Sequence, residues 1–185
     1  MLLHKGEVLF RQGDIGSLYQ LESGMLKIVR LHENGHQMLM NLITPGEVIP
    51  HHSLITQQPY HGTAVALTTC EVTLLPAAAW YQSLLDEPGK SVDIALKLQN
   101  KLRMMQQRID QLTHPEPAQR LAKLQGWFEQ YLSLPSGQLT DLLTQEEIGQ
   151  LIGLRRETVN RLLRSSADAV EQKHAQSVPA GPKNS

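Results

Sequence analysis

The 185-residue chain lacks several things, and each absence excludes something. Cys70 is its single cysteine, so a disulfide within the chain, a cysteine-based zinc site and a four-cysteine iron–sulfur cluster are all excluded. No apolar run approaches the ~18 residues that span a membrane. The opening Met1-Leu2-Leu3-His4-Lys5-Gly6 has no long apolar stretch, so a signal peptide is not expected. The expectation is a cytoplasmic protein with no membrane partner. Charge of one sign is also lacking: 17 Lys and Arg stand against 18 Asp and Glu. That balance argues against general attraction to polyanions, while leaving room for one local basic surface. Arginine is absent from Leu31 to Leu102. What is present is a 41% hydrophobic share, enough for a packed core, in a length that fits one large domain or two small ones.

Glycines punctuate the first third. Gly6, Gly13, Gly24, Gly35 and Gly46 are separated by 7, 11, 11 and 11 residues, with short apolar, β-prone runs between them. Turn signals at this spacing predict a sandwich, barrel or roll. Glu33-Asn34-Gly35 reads as a tight turn, because Asn and Gly tolerate positive φ. One further strand is expected over Thr63–Leu75, ended by Pro76. Cys70 lies in an apolar strand context and reads as core.

The pattern then becomes helical. Ala95, Leu98, Leu102, Met105, Ile109 and Leu112 are spaced 3, 4, 3, 4, 3, an a/d seam of about three heptads. The intervening Lys97, Gln99, Asn100, Lys101, Arg103, Gln106, Gln107 and Arg108 suit a solvated face. This predicts a helix over 86–113 that dimerises through the seam. Thr113-His114-Pro115-Glu116-Pro117 stops it and reads as a hinge. Ala118–Leu132 is helical again, with Leu121, Leu124, Trp127, Phe128 and Tyr131 as its core face. Leu134-Pro135-Ser136-Gly137 is expected as a loop, and residues 166–185 as a disordered tail.

Leu143–Arg164 carries the most information: LTQEEIGQLIGLRRETVNRLLR. Thr144 and Glu147 form a capping box, so a helix starts there. Ile148, Leu151 and Ile152 give it one apolar face, and Gly153 suits a tight turn. A second helix follows from about Arg155, with Val159, Leu162 and Leu163 inward and Arg156, Glu157, Asn160, Arg161 and Arg164 outward. This is a helix-turn-helix, whose second helix enters the DNA major groove. Arginine donates to guanine O6 and N7, and a carboxylate accepts from cytosine N4. Arg156, Glu157 and Arg161 are therefore expected to read bases. Thr144, Gln145, Arg155, Asn160 and Arg164 are expected to contact phosphates.

The run Gln145–Gly153 followed by Arg156-Glu157-Thr158-Val159-Asn160-Arg161 resembles the CRP/FNR transcription regulators. The resemblance covers about residues 1–164. It implies an α+β protein: a jelly-roll-like, cyclic-nucleotide-binding-like β-roll over 1–85, a dimerisation helix over 86–113 and a helix-turn-helix domain over 114–165. It further implies a homodimeric activator on double-stranded DNA, reading a TGTGA-like inverted repeat and meeting RNA polymerase. Family chains usually continue into a β-hairpin wing, and Ser165–Ser185 does not read like one. Arg155 stands where many relatives carry a Ser or Thr helix cap.

The resemblance also places an effector pocket. In the cyclic-nucleotide branch it holds a Gly-Glu pair and, about ten residues on, an Arg with Ser or Thr for the phosphate. Here Ile49-Pro50-His51-His52-Ser53-Leu54 and Tyr60-His61-Gly62-Thr63-Ala64 stand in those places. Without the arginine clamp, cAMP is disfavoured. Ser53–Thr56 with Tyr60-His61 is somewhat similar to the cyanobacterial nitrogen regulator, which senses 2-oxoglutarate. Lys101 and Gln106 fall near helix positions which that protein uses. A 2-oxoglutarate-like acid, or no effector, remains open, and no metal ligand set is expected. Two alternatives complete the reading. A cupin-like metal enzyme needs an H-x-H pair, and the adjacent His51-His52 does not supply one. A dimeric interaction module without effector or DNA binding is the other.

Overall fold

The structure is a computed structural model that describes residues 1–132 and 139–165. Its first half is built from two antiparallel sheets of four strands each. One sheet runs in the order β1 (Leu2–Leu3), β8 (Cys70–Leu75), β3 (Leu18–Ser23), β6 (Val48–Ile49). The other runs β2 (Val8–Phe10), β7 (Thr63–Ala66), β4 (Leu26–Leu31), β5 (Gln37–Ile43). The regularly spaced glycines are its corners: Gly6, Gly13, Gly24, Gly35 and Gly46 all have positive φ. Gly35 closes the β4–β5 hairpin, its N–H donating to the His32 carbonyl at 2.9 Å. Leu21, Leu26, Ile43, Ile49, Ala64 and Val72 fill the space between the sheets, together with fully buried Cys70. The Cys70 thiol donates to the Met25 carbonyl at 3.2 Å.

The single strand expected over Thr63–Leu75 is two strands, β7 and β8, in different sheets. Residues 67–69 turn the chain between them. Leu67 N–H donates to the Met25 carbonyl at 2.8 Å, and Met25 N–H donates to Thr68 Oγ1 at 2.9 Å. Thr68 thus serves a corner, which its β propensity conceals.

The helices are α1 (Ala77–Asp86), α2 (Pro88–Leu112), α3 (Pro117–Leu132), α4 (Leu139–Leu142), α5 (Gln145–Ile152) and α6, helical over 156–165 up to the last described residue of that segment. Pro88 and Pro117 each stand at a first helical position, where a missing N–H costs nothing. No helix among the described residues is long and apolar enough to cross a membrane. The side chain of Tyr131, the 134–137 loop and the 166–185 tail lie outside the described residues.

α2 runs along the roll and shows it a face that its polarity hides. Ile94 and Leu98 pack into a cluster with Leu18, Leu54 and Trp80. Farther on, Lys101 and Arg108, both expected on the solvated side, turn toward the roll. Lys101 Nζ donates to Glu47 Oε2 at 2.6 Å, and Arg108 donates to the Met40 carbonyl. A second cluster joins the two halves of the chain. Met25, Val29, Leu39, Leu42 and Leu67 of the roll share it with Leu121, Leu124, Phe128, Ile148, Leu151, Ile152 and Val159.

Candidate functional site

α5 and α6 form the expected helix-turn-helix. Thr144 caps α5: Glu147 N–H donates to Thr144 Oγ1 at 3.2 Å, and Thr144 N–H donates to Glu147 Oε2 at 2.9 Å. Gly153 ends the helix in the left-handed conformation, at φ 66°. Gly149 has a different task. A Cβ there would lie 2.4 Å from the Leu154 carbonyl oxygen, so only glycine lets the turn approach the helix this closely. Arg120 of α3 donates to the carbonyls of Ile152 and Gly153, each at 3.4 Å, and holds the turn from outside. Sequence reading missed both residues. Gly149 sits inside the capped helix with no local mark, and Arg120 acts across 32 residues.

Val159 is fully buried, and Leu162 and Leu163 pack partly against the same core, which fixes the rotation of α6. Arg155, Arg156, Glu157, Arg161 and Arg164 are consequently exposed, and Asn160 is half-buried. Arg155 takes the capping position itself, its carbonyl accepting from Thr158 and Val159 N–H groups. None of these arginines has a carboxylate partner within 4.0 Å among the described residues. Glu157, Asn160, Arg161, Arg164 and Ser165 line one open hollow. Thr144 and Glu146, at the start of α5, are exposed, and Gln145 is half-buried. The arrangement presents several cations and one carboxylate on one helix surface, the donor and acceptor types that base edges and phosphates require.

The module is fastened to the roll. β5 is a sheet edge, and an edge strand presents free backbone groups. Gln150 of α5 fills two of them: its Oε1 accepts from Leu39 N–H at 2.7 Å, and its Nε2 donates to the Gln37 carbonyl at 3.0 Å. The side-chain amide thus pairs with β5 as a neighbouring strand would. Arg108 takes the carbonyl of Met40, where the β4–β5 register shifts by one residue. Beside this contact Lys27 Nζ lies 2.6 Å from Glu147 Oε1. Burial alone would raise the Glu147 pKa, but the bonds from Lys27 and Thr144 hold it below the ordinary value.

The residues expected in one effector pocket separate into several places. Ile49, Ser53 and Tyr60 are buried in the roll. There Ser53 Oγ donates to the Gln58 carbonyl at 3.2 Å and Tyr60 OH to the Ser17 carbonyl at 2.6 Å. His52 and His61 are exposed on the far side, with ring centroids 5.9 Å apart. His52 Nε2 meets the Pro59 carbonyl, and His61 Nε2 meets Arg30 at 2.7 Å. Burial, then Arg30 and His52, lower the His61 pKa. Thr63 Oγ1 accepts from Gln12 N–H at 3.1 Å, and Gln106 is exposed on α2. Of the expected pocket residues only His51, Leu54 and Lys101 border the cavity between roll and helix, a space of about 390 Å³ that Trp80 and Trp127 also line. Pro50 leads into the short 3-10 turn His51–Ser53 beside it. Arg30 lies one residue outside the arginine-free stretch, and β4–β7 pairing brings it to His61.

The centre of that cavity's polar wall is Glu47, which sequence reading passed over. His51 Nε2 lies 3.0 Å and Lys101 Nζ 2.6 Å from its Oε2, and its Oε1 accepts from Thr44 N–H and Oγ1. Burial would raise the Glu47 pKa, yet the hydrogen bond with His51 and the charge of Lys101 bring it to about 2. Among the described residues no group of three or more His, Cys, Asp or Glu is placed to hold a metal ion.

The seam on α2 also divides. Ala95, Leu102, Met105 and Ile109 are exposed, together with Val92 and Leu96, which the heptad reading left out. Leu98 and Leu112 do not join them; they pack against their own chain. The apolar residues of α2 thus form two stripes, one packed on its own chain and one exposed, where the spacing suggested a single seam.

The sequence pattern of the cyclic nucleotide-binding domain matches residues 1–87, and that of the bacterial regulatory proteins of the crp family matches residues 142–165. A CRP-like cAMP-activated global transcriptional regulator of Mycobacterium tuberculosis is 29% identical over 163 residues, covering 86% of this chain and 73% of that one. A global nitrogen regulator of Synechococcus elongatus is 28% identical over 167 residues, covering 86% and 74%. A CRP-family regulator from Thermus thermophilus has the same fold, with a TM-score of 0.70 at 21% identity over 91% of this chain and 85% of that one. These relatives are transcription regulators, and none is an enzyme. A cyclic-nucleotide-binding-type roll, a helix-turn-helix of the crp pattern and this fold together give the chain the domain composition of a CRP/FNR-type transcription regulator.

Proposed function

We propose that the chain acts as a homodimer that recognises a TGTGA-like inverted repeat and regulates transcription from it. The observation that carries this reading is the rotation of α6: Val159 is locked into the core while Arg156, Glu157 and Arg161 face outward without ion partners among the described residues. Arg156, Glu157 and Arg161 read base edges; Thr144, Gln145, Arg155, Asn160 and Arg164 hold phosphates. The exposed stripe of Val92, Leu96, Leu102, Met105 and Ile109 is the dimer seam, since such an apolar line on a single chain calls for cover. Two-fold symmetry then sets two recognition helices about one DNA turn apart. The roll over 1–85 modulates this binding through α2, 86–113 joins the copies and 114–165 meets the DNA. RNA polymerase is the further partner, and the cytoplasm the place of action.

A mobility-shift titration with a TGTGA-N6-TCACA duplex and a scrambled duplex tests the proposal. Clear preference for the repeat is the expected result. Equal affinity at moderate salt overturns it, because charge alone treats both duplexes alike.

A further inference from the structure

A second cavity, of about 190 Å³, lies where β5, α2, α3 and α5 meet. Its wall is apolar: Met38, Met40, Met104 and Trp127 border it, with Leu151 from the DNA-binding module. Methionine adapts its shape readily, which suits a wall that must close on an occupant. Two charged residues border this surface, Lys101, which Glu47 already pairs, and Arg108. Arg108 lines the cavity, and its guanidinium donates to the Met40 carbonyl.

The other cations of the same layer show what is missing. Lys101 has Glu47 at 2.6 Å, and Lys27 has Glu147 at 2.6 Å. Arg108 has no carboxylate within 4.0 Å among the described residues. A cation removed from water without a counter-charge is costly, and burial lowers the pKa of Arg108. Its planar fork presents more donors than one carbonyl can take, and a carboxylate is the group that matches it two bonds at a time.

We propose that this cavity binds a small amphipathic carboxylate, with its acid group on Arg108 and its aliphatic or aromatic body among Met38, Met40, Met104 and Trp127. The site is distinct from the one beside Glu47, although Lys101, Met104 and Trp127 border both. An occupant touches Leu151 and Gln150 of α5, so its presence bears on how the DNA-binding module sits against the roll. The proposal stands apart from the choice of DNA sequence, and its test reads binding alone.

Octanoate and 1-octanol, equal in chain length and different in charge, are the probes. Each is titrated into the full chain by calorimetry and by tryptophan fluorescence. Octanoate is expected to bind well above octanol. Arg108→Met should lower octanoate affinity about tenfold or more, the usual loss for a charge-assisted bond, and leave octanol unchanged. Arg108→Lys should restore part of the octanoate affinity. Because Arg108 also ties α2 to β5, Met104→Trp gives a second route: it fills the cavity and should abolish binding of both probes while Arg108 stays. Equal binding of octanoate and octanol, an unchanged octanoate affinity in Arg108→Met, or normal binding in Met104→Trp would each overturn the proposal. So would binding seen only when the copies are driven apart, since the partner's helix would then be the natural occupant.

Discussion

Lys27, Lys101 and Arg108 lie within the molecule, each bonded to an acceptor from another element. Arg155, Arg156, Arg161 and Arg164 lie on the outside with no ion partner among the described residues. The two sets share a charge and differ in consequence. An interior cation is held by geometry, and its loss leaves a group stranded in low dielectric. An exposed cation is already solvated, costs the fold little, and gains a partner only when a polyanion arrives. Neutrality of the whole chain therefore conceals a division of labour. The inner cations join roll, helix and DNA-binding module, and the outer ones remain available.

Six substitutions test that division. Glu47→Ala should have the largest effect, about 2–4 kcal/mol of unfolding free energy by denaturant titration, because it strands Lys101. The same contact sets an acid limb. The Glu47 carboxyl titrates at about 2 when folded and at 4.5 in its ordinary state, so its stabilisation is complete above pH 4.5 and disappears as pH falls toward 2. Glu47→Gln should flatten stability across that window, and an unchanged slope would refute the assignment. Next, Arg161→Ala should cost about 1–3 kcal/mol of operator binding and relax preference at one guanine, with the fold intact. Arg164→Ala gives the contrast: weakening across all sequences and a salt slope shallower by about one phosphate. Uniform weakening by Arg161→Ala would move that residue to the phosphate group.

Gln150→Ala should cost about 1 kcal/mol, the scale of hydrogen bonds lost at a half-buried position. It should also speed proteolytic cleavage over residues 113–117, where the chain joins α2 to α3. An unaltered digestion pattern would mean that Gln150 does not hold the module. Lys27→Met is the smallest, about 0.5–1 kcal/mol, since its pair with Glu147 keeps some solvent. High salt should erase the difference between Lys27→Met and the parent protein and leave the Glu47→Ala effect largely in place.

The helix-turn-helix was readable because its determinants are local. The capping box closes within four residues, Gly153 marks the turn, and Val159, Leu162 and Leu163 set the rotation of α6. The roll was readable through its glycine corners. What escaped is nonlocal. Glu47 meets Lys101 across 54 residues, and Lys27 meets Glu147 across 120. Polarity misled on α2, where Lys101 and Arg108 resemble a solvated face while their stems run beneath the roll. The short runs of α1 and α4 also passed unnoticed, α1 because Pro76 read only as a strand stop. The residues expected in one pocket are divided for a related reason: adjacency in sequence along 49–63 does not survive the turn at His51–Ser53, which sends His51 and His52 to different partners.

The amide of Gln150 has one more consequence, for the folding history of the chain. β5 is the outer strand of its sheet, and part of its hydrogen-bonding rim is covered by a helix formed more than a hundred residues later. Until that helix is in place, the roll carries an open template for strands of other copies. A chain cut after Leu112 should therefore associate beyond a dimer as concentration rises, and the intact chain should stop at the dimer. On that expectation the helix that carries Gln150 shields an edge of the domain that precedes it.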